Sequence, residues 1–149
     1  LDISRNTCFD TVNSIVSLAQ QQHGFVRFEM EESNTIDGTL AVFERLREAH
    51  QQHVGCVLQA MLFRTHHDAT RLLETNPQQL NVRMVKGIYV EPAAIAYQEM
   101  NEINKSYLKT TRMLLEHGAF VAVATHDPAI VEGLTEILAD IPEAKDRVE

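Results

Sequence analysis

Cysteine is scarce in this 149-residue chain: Cys8 and Cys56 are its only two, and they form neither a CxxC pair nor a metal-type spacing. That excludes a disulfide-stapled scaffold and fits a reducing compartment, so the cytoplasm is the expected location. No apolar run approaches the roughly 20 residues that a membrane-spanning helix needs, and no signal-peptide pattern opens the sequence. Cations are also few. The 13 Lys and Arg stand against 21 Asp and Glu, for a formal net charge of −8, and they are scattered rather than clustered. With no basic stripe to neutralise a phosphate backbone, nucleic acid is excluded as an expected partner. Neither GxGxxG nor GxxxxGK[ST] occurs, so a dinucleotide-binding Rossmann half and a P-loop have no support. His50, His53, His66 and His67 fall at helix ends or in loops without an obvious carboxylate, so they are expected to be solvated and no metal site is expected.

What is present is a globular composition, 44% hydrophobic and 23% charged, in a chain long enough to bury a sizeable core. Residues 6–24 have Phe9, Val12, Val16 and Ala19 at helical spacing, with Asn6 or Thr7 as cap and Gly24 as stop. A strand follows over 25–31, then a helix over 36–50 with Ile36, Leu40, Phe43 and Leu46 on one side, and a strand over 54–62. The alternation continues with a short helix at 67–75, a strand at 81–89, a helix at 102–118 and a strand at 119–125. The last helix, 127–142, has Pro128 in its first turn and turns Ile130, Leu134, Ile137, Leu138 and Ile141 inward.

Val26, Val54 and Val82 open successive strands 28 residues apart, the size of one βα unit. Phe120 comes 38 residues after Val82, and the surplus, YVEPAAIAYQEMN, belongs to a βα loop. Valine-rich strands alternating with helices indicate an α/β fold with a parallel sheet. A (β/α)8 TIM-type barrel fits best, with this chain supplying about four βα units. The sequence begins at Leu1 without methionine and stops at RVE, where another strand would start. Residues 1–149 are therefore expected to be the central part of a single barrel domain, incomplete at both ends.

The stretch VRMVKGIYVEP sets Arg83 and Lys86 among Val82, Met84, Val85, Ile88 and Tyr89. Cations in such a strand need an anionic partner, because unpaired burial costs several kcal/mol. Polar residues collect at the C-terminal ends of all four strands: Glu29 and Glu31, Gln59, Arg83 and Lys86, then Thr125, His126 and Asp127. Barrel active sites are assembled at that face. Plainer roles are open for each of them. Glu29 or Glu31 could pair with Arg83, His126 could be structural, and Asp127 before Pro128 reads as a helix cap. Gln59 in an apolar strand needs both ends of its amide satisfied, which the edge of a flat heterocycle would do. Lys86 at a strand end also suits a Schiff-base aldolase, and a chain with four of eight strands suits an inactive, associating half-barrel.

GFVRFEMEES, VGCVLQAML, VRMVKGIYVEP and VAVATHDP, in this order and at these spacings, resemble the central part of bacterial monofunctional proline dehydrogenases. The resemblance covers nearly the whole chain. It implies a distorted (β/α)8 barrel and an FAD-dependent oxidoreductase of proline catabolism, acting on a CH–NH donor. Such an enzyme oxidises L-proline to 1-pyrroline-5-carboxylate and passes electrons through FAD to a membrane quinone, which implies peripheral contact with the inner membrane. The anion it implies for Arg83 and Lys86 is the FAD pyrophosphate together with the charge of the reduced isoalloxazine.

By the same resemblance, Arg83 stands beside the flavin N5 and O4, and Gln59 bonds the pyrimidine edge. Lys86 and Gly87 follow the ribityl and phosphate stretch, which Thr125 and His126 also contact. Tyr89 packs over the proline ring, and Met84 replaces a leucine of the substrate pocket. Glu29 replaces the usual aspartate on the substrate side. Arg83, Glu29 and Tyr89 form the implied catalytic set. The family's upstream lysine-bearing strand, downstream tyrosine-bearing strand and C-terminal helix with paired arginines do not lie within residues 1–149, so open strand edges and self-association are expected.

Overall fold

The computed structural model describes residues 4–149; Leu1 lies outside the described residues. Nine regular elements alternate along it: α1 (Arg5–Gln21), β1 (Val26–Phe28), α2 (Ile36–His50), β2 (Val54–Gln59), α3 (Thr65–Leu73), β3 (Asn81–Val85), α4 (Met100–Glu116), β4 (Phe120–Val123) and α5 (Pro128–Asp140). Short 3-10 turns occupy some of the connections. The strands form a four-stranded sheet in sequential order. β1 runs parallel to β2 with Val26 opposite Val54, and β3 parallel to β4 with Asn81 opposite Phe120. Parallel strands in chain order, each followed by a helix, are the arrangement of a partial (β/α)8 barrel. The described residues divide into two compact units, one ending at Val57 and the other spanning Leu58–Glu149.

In the first unit the predicted stripe of α2 is the core, with Ile36, Leu40, Phe43 and Leu46 all buried. Phe28 meets Phe43 edge to face at 5.8 Å. α1 is capped by Ser4, whose hydroxyl accepts from the Thr7 N–H, and not by Asn6 or Thr7. The helix also ends earlier than Gly24: His23 takes the left-handed conformation (φ 56°), and the Gly24 N–H returns to the Ala19 carbonyl at 2.7 Å. His50 is not solvated as expected. It is buried, with Nδ1 2.8 Å from Gln20 Oε1 and Nε2 2.8 Å from Asn13 Oδ1. Its partners are amides on α1 rather than carboxylates. His53 is half-buried and bonds the Gly24 carbonyl at 2.9 Å. Burial pushes the Cys56 thiol up to about 12.

The second unit is built on the alternation of β3, in which Val82 and Met84 are buried while Asn81, Arg83 and Val85 are half-buried. Tyr107 of α4 is fully buried and donates its hydroxyl to the Met84 carbonyl at 2.7 Å. Burial raises its phenol well above the ordinary range. Every strand is shorter than its apolar run. β3 stops at Val85 because Gly87 turns the chain with φ 106°, and a Cβ there would lie 2.4 Å from the Met61 sulfur. Pairing with the end of β2 persists just beyond the strand, through Ala60 N–H to Val85 O and Met61 N–H to Lys86 O. The long β3–α4 loop folds back on the segment after β2 through an antiparallel bridge of Leu62 with Ala96. At the chain's end, Val148 makes an isolated parallel bridge to Val121 of β4.

Candidate functional site

The second unit brings the ends of β2, β3 and β4 together with the N-terminus of α5. Gln59 is buried at the end of β2, and its carbonyl accepts from the Thr65 hydroxyl. Arg83, Lys86, Gly87 and Tyr89 are half-buried at and beyond the end of β3. Thr125 is half-buried and His126 exposed after β4.

The anion facing Lys86 belongs to the chain itself. Its ammonium forms an ion pair with Asp127 and lies 3.3 Å from the Met100 sulfur. Asp127 is held on several sides. Asn104 Nδ2 donates to Oδ2 at 3.0 Å, the Ala129 N–H donates to Oδ1 at 2.9 Å, and the Asp127 N–H donates to the Thr125 hydroxyl at 3.1 Å. The bonds from Lys86, Asn104 and Ala129 hold its carboxyl down to about 2. Asp127 is thus both the cap of α5, as its place before Pro128 indicates, and the counter-ion of a site lysine. Asn104 escaped the sequence reading altogether. An asparagine inside a helix, where it is a weak helix former, was the one available signal.

The Met84 side chain is fully buried on the face of β3 opposite Arg83, the face shared with Val82. Glu29 follows β1 in the first unit and is exposed.

A carboxamide, a guanidinium, a paired ammonium and a hydroxyl at adjoining strand ends form a donor-rich cluster suited to a flat, partly anionic ligand. A family model described as proline dehydrogenase matches residues 2–149. The chain is 37% identical over 119 residues to a proline dehydrogenase of Deinococcus radiodurans, covering 79% of this chain and 37% of that protein. It is 31% identical over 149 residues to proline dehydrogenase 2 of Bacillus subtilis, covering 100% of this chain and 48% of that protein. It therefore spans about half or less of the length of the curated relatives it matches. Among solved structures, proline utilization A from Bdellovibrio bacteriovorus, inactivated by N-propargylglycine, superposes with a TM-score of 0.89 at 22% identity. That superposition covers 99% of this chain and 17% of the other, and it supports the fold. With the family model extending over residues 2–149, this chain belongs to the proline dehydrogenase family.

Proposed function

We propose that the protein is an FAD-dependent proline dehydrogenase and that this chain forms the cofactor-binding part of its barrel. The observation that carries the reading is the convergence of Gln59, Arg83, Lys86 and Thr125 at three adjoining strand ends of one unit, in a chain of this family. The donor set fits FAD. The Gln59 carboxamide can both donate to and accept from the pyrimidine edge, and Arg83 provides a fixed cation beside an electron-rich ring. Beyond the ammonium hydrogens directed at Asp127 and the Met100 sulfur, Lys86 has one more for a phosphate. Gly87, with its positive φ, turns the backbone next to Lys86. Thr125 and His126 add polar contacts.

When bound, FAD supplies the two-electron acceptor for oxidation of L-proline to 1-pyrroline-5-carboxylate. The chain's own residues orient the reactants and set the electrostatics. Arg83 would stabilise negative charge on the bound ring. Asp127 and Asn104 hold Lys86 in place, and Tyr89 covers the substrate ring. Glu29 is assigned to the substrate side, one methylene longer than the family's aspartate. Glu29→Gln is expected to lower turnover more than FAD retention. The final acceptor is assigned to a membrane quinone, with the protein cytoplasmic and peripheral at the inner membrane. No described helix is long and apolar enough to cross a membrane.

The Schiff-base alternative loses ground to the Asp127 pairing. A lysine nucleophile is activated by an apolar pocket or a neighbouring cation, not by an adjacent carboxylate. The test is Arg83→Met in the full-length protein, followed by stopped-flow flavin reduction and potentiometry. Slower reduction and a lower flavin potential support the reading, and unchanged values of both overturn it.

A further inference from the structure

A cavity of about 590 Å³ lies between α3, α4 and the loop that precedes α4. Phe63 and Tyr97 line it, packed edge to face with ring centroids 4.7 Å apart, and Phe63 is 47% exposed. His66 and His67 of α3 and Lys105 and Lys109 of α4 also face it. Among the described residues none of these four nitrogen bases makes a hydrogen bond or ion pair, and His66 Nδ1 is buried without a partner.

This is a cationic groove on an anionic protein. The chain has 21 acidic side chains, yet the cavity wall has one carboxylate, Glu102, and that carboxylate is not ion-paired among the described residues. Lys105 and Lys109 are one helical turn apart, an arrangement of like charges that destabilises a helix. Burial, and then the charge of Lys109, lower the His66 pKa. The fold therefore sets four nitrogen bases and a single carboxylate, Glu102, around an aromatic wall. The volume is within the range of about 300–1,000 Å³ usual for small-molecule sites.

We infer that this groove binds a small aromatic phosphate, with the phosphate between the lysines and His66 and the ring against Phe63. The inference stands apart from the proposed proline site, because none of these residues belongs to that site.

The experiment is calorimetric titration of the full-length, flavin-loaded protein with phenyl phosphate, inorganic phosphate and benzyl alcohol. Phenyl phosphate is expected to bind at least about tenfold more tightly than either other probe. Lys105→Gln combined with Lys109→Gln should weaken it by about tenfold or more and leave proline turnover intact. Phe63→Ala should weaken phenyl phosphate more than inorganic phosphate. Absence of phenyl phosphate binding, equal binding of benzyl alcohol, or binding unaffected by the double lysine substitution would each overturn the inference.

Discussion

Tyr107→Phe isolates one buried bond that ties α4 to the strand bearing Arg83. The hydroxyl donates to the Met84 carbonyl at 2.7 Å from a side chain with 0% exposure. That carbonyl also accepts from the Ala124 N–H at 3.1 Å. Removing the hydroxyl therefore leaves no acceptor orphaned, and the loss should be that of one ordinary bond, about 1 kcal/mol, rather than the larger cost of an unsatisfied buried group. With a urea m-value of about 2 kcal/mol/M, the unfolding midpoint should fall by about 0.5 M at unchanged m. The alkaline limb gives an independent check. Because the folded-state phenol is raised above its ordinary 10.0, its contribution is full below that pH and fades as pH rises through the folded value. The phenylalanine variant should lose less stability over that window than the parent. A fall of more than about 3 kcal/mol would mean that the Ala124 bond does not hold the carbonyl, and no change at all would mean that the hydroxyl bond is not made.

Three further outcomes are expected. The depressed Asp127 carboxyl contributes stability that is full above its ordinary 3.8 and lost as pH falls to about 2, so Asp127→Asn should flatten the acid limb of the unfolding profile. A profile identical to the parent's would refute this. Gly87→Ala should destabilise by about 1–3 kcal/mol through its positive φ and the Met61 clash, and a Met61→Ala companion should recover only the steric share; full recovery would show that the backbone is unstrained. Burial should protect the Cys56 thiol from alkylation in the native protein while half-buried Cys8 reacts, which peptide mapping before and after denaturation would resolve; native labelling of Cys56 would contradict it.

The elements most legible in the sequence were those specified by local pattern. The 36–50 stripe became α2 at its exact bounds, since a 3.6-residue period and burial coincide there. Strand ends were less legible. Ile88 and Val90 look like continued strand, yet they are 87% and 103% exposed, because the backbone at Gly87 leaves the sheet before them. Apolar letters report burial propensity and not the φ that ends a strand. Long-range polar pairing was the least legible. His50 finds Asn13 and Gln20 across 37 and 30 residues, and Lys86 finds Asp127 across 41, with no local signature for either. The site strands were therefore readable from composition at their ends, while the groups that hold Lys86 required the fold.

The central claim is flavin-dependent oxidation of proline at the strand-end cluster, and anaerobic titration of the purified full-length protein with L-proline tests it most directly. The account predicts a yellow protein whose flavin absorbance bleaches on addition of L-proline, with 1-pyrroline-5-carboxylate formed in step and the bleaching slowed by Arg83→Met. A protein that binds no flavin, or a bound flavin that stays oxidised under excess proline, would contradict it.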